Sequence, residues 1–146
     1  MTAPVVRYAV EEAVRRADLD AVDAGLDAFN QGEPELRRVR PLNVLARDAQ
    51  GQLLGGAVGR SWGGCAELQQ LWVQDEGRRR GLGRRLMARF EAEAAGRGCR
   101  LVYLDTFSFQ APDFYRRLGY REVLQTAGFT GGIVKSTFHK TLEPPR

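Results

Sequence analysis

The stretch that decides the fold reads Leu71-Trp72-Val73-Gln74-Asp75-Glu76-Gly77-Arg78-Arg79-Arg80-Gly81-Leu82-Gly83-Arg84-Arg85-Leu86. An apolar strand pattern ends at Val73, a basic loop carrying glycines follows, and a long amphipathic helix pattern begins at once. A helix start leaves several backbone N–H groups unpaired and carries the positive end of the helix dipole. Glycines at 81 and 83 remove the side chains that would hold an anion away from that backbone. A phosphate or pyrophosphate is the natural ligand. Two familiar phosphate loops fail on the residues. A Walker loop needs Gly-Lys-Ser/Thr, but Gly83 is followed by Arg84 and Arg85; a dinucleotide fingerprint needs a third glycine where Leu86 stands. Taken alone, the loop is equally compatible with arginines that are merely solvated.

Working outward, Leu82 to Arg97 places Leu82, Leu86, Phe90 and Ala94 four apart, with Arg85, Arg89, Glu93 and Arg97 on another face. That pattern predicts an amphipathic helix ended by Gly96 and Gly98. Arg100 to Thr106 reads as a short strand, and Pro112 to Leu118 as a brief helix opened by proline and stopped by Gly119. Tyr120 to Gln125 and Ile133 to Leu142 read as two further strands. Upstream, Leu42 to Arg47 and Gln52 to Arg60 flank the turn Asp48-Ala49-Gln50-Gly51, and Trp62-Gly63-Gly64 leads into Cys65 to Val73. Glu11 to Phe29 carries Val14, Leu19, Val22, Leu26 and Phe29 at helical spacings and predicts one or two helices. Val5 to Ala9 alternates weakly and predicts a first strand. The expected order is β-α-β-β-β-α-β-α-β-β: an α/β or α+β layered fold with one twisted, mixed, mostly antiparallel sheet flanked by helices.

Composition bounds the rest. The chain has 146 residues, 43% of them hydrophobic, which fits a single domain over 1–146 with one core. No apolar run suits a membrane span and Met1 to Ala9 shows no signal pattern, so the cytoplasm is the expected location. Two separated cysteines, Cys65 and Cys99, with the single histidine His139, argue against a metal site. The net charge of +4 leaves nucleic acid open in principle. The cluster at 78 to 85 contains no aromatic for stacking, so a small polyanion fits it better than a nucleic acid. An exposed edge or C-terminal strand leaves a homodimer open.

Arg78-x-x-Gly81-x-Gly83 matches the Arg/Gln-x-x-Gly-x-Gly/Ala signature of the GNAT superfamily of N-acetyltransferases, and the chain resembles that family over roughly residues 25 to 142. Leu71-Trp72-Val73 is similar to its splayed strand. Asp113-Phe114-Tyr115-Arg116-Arg117-Leu118-Gly119-Tyr120 is similar to its Tyr-x-x-x-Gly-Phe/Tyr segment. Gly55-Gly56 and Asp105-Thr106-Phe107-Ser108-Phe109-Gln110-Ala111-Pro112 resemble a bacterial small-domain subgroup in particular.

The resemblance implies direct acetyl transfer from acetyl-CoA, as co-substrate and without metal, to a primary amine of a small molecule or peptide. It puts the pyrophosphate on the backbone of Arg79, Arg80, Gly81, Leu82, Gly83 and Arg84, with the arginine side chains, Arg78 among them, adding positive field. Leu71, Trp72 and Val73 would hold the pantetheine arm and thioester through the main chain. Ser108 stands where many members have a pantetheine-binding asparagine, and Ala111 joins the coenzyme site. Glu67, six residues before Val73, matches the glutamate that serves as general base in histone-acetylating members. Simple alternation puts Glu67, Gln69, Leu71 and Val73 on one face, unless a β-bulge breaks the parity. Tyr115 matches the tyrosine aimed at the coenzyme sulfur and is the candidate acid that protonates the departing thiolate, unless it is a core aromatic beside Phe114 and Leu118. Asp105 either touches acceptor amines or caps the next turn, and His139 is expected to be a surface or sheet-packing residue. The segment Ala127-Gly128-Phe129-Thr130-Gly131-Gly132 departs from the subgroup's usual Pro-x-Gly-His type turn. The competing function is a catalytically weak acyl-CoA-binding or sensing module.

Overall fold

The computed structural model describes residues 1–77 and 80–144. Arg78 and Arg79, both in the expected phosphate loop, lie outside the described residues. The chain divides into two units, Met1–Pro34 and Glu35–Arg146.

The first unit contains one helix, α1 (Arg16–Asn30), rather than two. Its first turn is braced by Arg15 to Asp18 and Arg16 to Asp20 ion pairs at 3.0 and 2.9 Å. The strand expected at Val5 to Ala9 does not form. Its alternation is weak, and nothing in its own unit offers a second strand to pair with.

The second unit is a six-stranded mixed sheet, with β1 (Arg40–Arg47), β2 (Leu53–Trp62), β3 (Cys65–Val73), β4 (Leu101–Phe107), β5 (Arg121–Thr126) and β6 (Lys135–Thr141) in the order β1-β2-β3-β4-β6-β5. All neighbours are antiparallel except β3 and β4. The β1–β2 hairpin closes as its residues require. The Asp48 carboxylate accepts the N–H groups of Gln50 and Gln52 at 2.9 Å, and Gly51 takes a left-handed φ of 81°. The parallel pair needs a crossover, and α2 (Leu82–Gly96) supplies it.

α2 lies on β1, β2 and β3 and buries Leu86, Met87, Phe90 and Ala94 against Leu42, Ala57, Ala66 and Leu68. The core continues through Val102, Leu104 and Phe138 to Tyr115 of α3 (Pro112–Arg117) and to Tyr120. Arg97 pairs with Glu93 at 2.8 Å and also turns inward. Its guanidinium donates to Pro41 O at 3.0 Å and Ser61 Oγ at 3.1 Å, tying the end of α2 to β1 and β2. Lys140 ties β6 to α2 through Glu91 and donates to Leu118 O at 2.7 Å. Among the described residues no helix is long and apolar enough to cross a membrane.

Candidate active site

The sheet comes apart in its middle. β3 and β4 pair from Cys65↔Leu101 to Leu68↔Leu104, and there the ladder stops. Both strands go on, β3 through Val73 and β4 through Phe107, each still paired on its outer side. A wedge therefore opens between them. Its inner part, about 380 Å³, is lined by Leu68 to Trp72, by Leu104, Asp105 and Thr106, and by Gln110 and Tyr115. It continues into a second part of about 540 Å³ walled by Val73, Gly81, Gly83, Arg84, Phe109 and Phe114. Leu71, Trp72, Gln110, Ala111 and Phe114 belong to both.

A β-bulge contributes to this opening. Val58 pairs with Gln70 and Gly59 with Leu68, so Gln69 is an extra residue on β3. Ala66 and Leu68 face the core before the bulge, and Val73 after it. Alternation alone put Glu67 on the same face as Leu71 and Val73. The bulge breaks that parity, and Glu67 lies on the sheet face opposite α2.

The outer part of the wedge ends on the start of α2. Gly81 is its N-cap, with a φ of 73° and no side-chain cap. Its left-handed backbone favours glycine, and the first-turn N–H groups have no intrahelical acceptor. No acidic residue stands in that turn. Gly83 lies against Phe114, and a Cβ there would meet the ring at 3.4 Å. Leu82 packs partly into the core, while Arg80 is exposed and its carbonyl is held by Arg85 Nη2 at 2.7 Å. Bare amides, basic side chains and an apolar channel beside them can hold a phosphate with a long, mostly uncharged tail.

Tyr115 reaches the inner wedge from the α2 side of the sheet. It is buried among Phe114, Tyr120 and Phe138, with ring centroids 5.1, 5.8 and 6.2 Å away. Burial pushes its hydroxyl up to about 12. Ser108 does not line the wedge. Its hydroxyl accepts the Val134 N–H at 3.0 Å and its own N–H donates to Val134 O at 2.8 Å, fixing the end of β4 to the approach of β6.

On the opposite face, Glu67 pairs with Arg60 at 2.9 Å and stands beside Tyr103, whose hydroxyl is pushed up by burial and by the Glu67 charge. His139 packs edge-on to Tyr103 at 6.4 Å. One residue beyond the last paired rung, Asp105 accepts from Thr137 Oγ1 at 2.5 Å and faces Lys135 Nζ at 3.6 Å. Asp105 lines the inner wedge; Glu67 does not. Phe107 stacks on Phe109 at 5.5 Å and meets Phe129 edge-on at 5.6 Å, so three rings gather at this end of β4.

A split parallel pair whose outer end meets a bare helix start is the arrangement that the resemblance to N-acetyltransferases implies. The chain matches the model of the Acetyltransferase (GNAT) family over residues 8–120. It is 40% identical over 107 residues to blasticidin-S acetyltransferase of Streptomyces morookaense, covering 70% of this chain and 79% of that one. The crystal structure of an acetyltransferase from Bacillus cereus ATCC 14579 superposes with a TM-score of 0.78 at 28% identity, covering 92% of this chain and 98% of that one. An aminoglycoside 6'-N-acetyltransferase complexed with coenzyme A shares the fold, with a TM-score of 0.64 at 23% identity over 82% of this chain and 80% of that one. The chain belongs to the GNAT family, and it is an acetyl-CoA-dependent N-acetyltransferase.

Proposed function

We propose that the chain transfers the acetyl group of acetyl-CoA directly to a primary amine of a small cationic molecule. In this reading the donor lies in the wedge between β3 and β4, and the amine approaches from the face opposite α2. One observation carries it: the β3–β4 ladder ends at Leu68 and Leu104 while both strands continue, and the gap runs out to the uncapped start of α2. The pyrophosphate then sits on the backbone of residues 80 to 84, and the pantetheine arm lies along Leu71, Trp72 and Val73, with Ala111 on the other wall. The family match spans residues 8–120, which supports reading the chain as one acetyltransferase domain.

An ammonium of pKa about 10.4 must lose its proton before attack, at a cost of about 4.6 kcal/mol at pH 7. A carboxylate beside it offsets part of that cost. Asp105 is the carboxylate that lines the wedge, and we assign it to meet the acceptor ammonium, with Glu67, on the rung with Tyr103 two residues below, as the competing base. The neutral amine attacks the thioester carbonyl and the C–N bond forms; the nitrogen then passes its surplus proton to solvent, and the C–S bond breaks. The Tyr115 hydroxyl, held at about 12, keeps its proton and stabilises the departing thiolate as a hydrogen-bond donor. A thiol of ordinary pKa about 8.5 would take that proton only at a cost of about 5 kcal/mol. The thiolate is protonated from solvent instead.

The likeness to blasticidin-S acetyltransferase supports a small, cationic acceptor. So does the neighbourhood of Asp105, where Phe107, Phe109 and Phe129 offer flat apolar surface next to a carboxylate. Free-thiol release from acetyl-CoA should therefore be fastest with blasticidin S or other cationic amines, and slower with neutral amino acids and peptides. Coenzyme binding without thiol release for any acceptor would leave the sensing module as the function. Asp105→Asn should lower kcat/KM for the amine by about 100-fold and leave acetyl-CoA affinity within about twofold, while Glu67→Gln costs about threefold or less. The reverse ranking would return the base to Glu67.

A further inference from the structure

Gln110 stands in the turn between β4 and α3 and lines both parts of the wedge. Its carboxamide oxygen accepts the Phe107 N–H at 2.8 Å and the Thr106 hydroxyl at 3.2 Å, and the Gln110 backbone N–H returns to Phe107 O at 2.9 Å. A backbone N–H can only donate, so the end of the amide that faces it must be the oxygen. Two donors occupy that oxygen's lone pairs. The NH2 group is the end that remains, and it has no hydrogen-bond partner among the described residues. Thr106 already gives its hydroxyl to Gln110, and Ser108 holds Val134. Gln110 is thus the side-chain donor that this turn leaves to the wedge.

We propose that the Gln110 NH2 group donates to an amide carbonyl of the pantetheine arm, opposite the main chain of β3. The contact takes the place of the one expected from Ser108. The arm is a chain of apolar links interrupted by two amides. An extended ligand of that kind, seated along one strand edge, turns its other carbonyls to the facing wall, where Gln110 stands. The two bonds at the oxygen hold the side chain in its donating orientation before the ligand arrives, which lowers the ordering cost of binding. This inference rests on the reading of the wedge as the coenzyme channel.

Gln110→Glu separates the two ends of the side chain. A carboxylate still accepts from Phe107 and Thr106, so the turn stays clamped, but the donor becomes an acceptor. Acetyl-CoA should bind Gln110→Glu about tenfold more weakly by calorimetry, with the melting temperature unchanged. S-acetylpantetheine, which lacks the nucleotide and its phosphates, should lose the same factor by ligand-observed NMR. Equal affinity of parent and variant for both thioesters would overturn the assignment of Gln110 alone. So would a loss confined to acetyl-CoA, because that pattern reports repulsion of the phosphates by the added charge. Failure of the parent itself to bind either thioester would overturn the channel and Gln110 together.

Discussion

In the proposed reaction Tyr115 acts as a fixed donor. Its helix is pinned by Arg116, which pairs with Asp113 at 2.6 Å and Glu122 at 2.9 Å and lies over the Phe138 ring at 5.4 Å. The ring of Tyr115 is walled by three aromatics, and burial holds the hydroxyl at about 12. A hydrogen bond to a developing thiolate is charge-assisted and contributes about 2 kcal/mol, a factor of about 30 in rate. Tyr115→Phe should therefore lower kcat about 30-fold while acetyl-CoA affinity, measured by calorimetry, stays within twofold. Because the group stays protonated well above neutrality, the ratio of parent to variant rates should be flat between pH 6 and pH 9. An alkaline limb in that window that vanishes in the variant would show Tyr115 releasing its proton. At this scale the sequence offered two uses for Tyr115, acid or core aromatic, and the side chain both packs in the core and lines the wedge. The sequence was silent where two polar residues share a turn. Whether Ser108 or Gln110 faces the wedge depends on Val134, 26 residues away in sequence, and no local pattern carries that contact.

At the scale of the element, the bulge in β3 decides which side chains meet. Gly59 makes it possible. A Cβ on Gly59 would lie 1.9 Å from the Glu67 carbonyl oxygen, which is backbone and cannot swing aside. Gly59→Ala should push β3 off β2 at the bulge and destabilise the fold by about 3 kcal/mol or more, read by urea denaturation. The same variant should lose acetyl-CoA binding under conditions where it is still folded, since Leu71 and Val73 follow directly. A stability within about 1 kcal/mol of the parent would mean that β3 can slide without consequence. Alternation could not reveal this bulge. Gln69 and Gln70 are both polar and both exposed, so the pattern accepts an extra residue at either place. The regular elements were legible for the opposite reason. Leu86, Phe90 and Ala94 recur at a helical period and all are buried, and the Asp48 to Gly51 turn carries its own hydrogen-bonding chemistry. Val5 to Ala9 shows the limit of pattern alone, because a strand also requires a neighbour.

For the molecule as a whole, the core contains two phenols, and their burial couples folding to alkaline pH. Tyr115 and Tyr120 both have hydroxyls pushed up by burial from the ordinary value of 10.0, Tyr115 to about 12 and Tyr120 further. Below pH 10 each is neutral in the folded and the unfolded chain alike, so neither contributes a slope. Above pH 10 the unfolded chain sheds these protons and the folded chain keeps them. The folded state then binds more protons, and stability falls as pH rises, by up to about 1.4 kcal/mol per pH unit for each tyrosine. The Tyr120 hydroxyl is also buried without a hydrogen-bond partner among the described residues, while Lys140 Nζ lies 5.5 Å over its ring and bonds elsewhere. Leaving a polar group unpaired in a core costs about 1–3 kcal/mol, and removing the group relieves that cost. Tyr120→Phe should accordingly be at least as stable as the parent at pH 7, and its stability should fall less steeply than the parent's between pH 10 and pH 12. Urea denaturation of both proteins across that range separates the two effects. A loss of more than about 1 kcal/mol at pH 7 would mean that the hydroxyl has a bound partner, and an unchanged alkaline slope would mean that Tyr120 ionises as readily folded as unfolded.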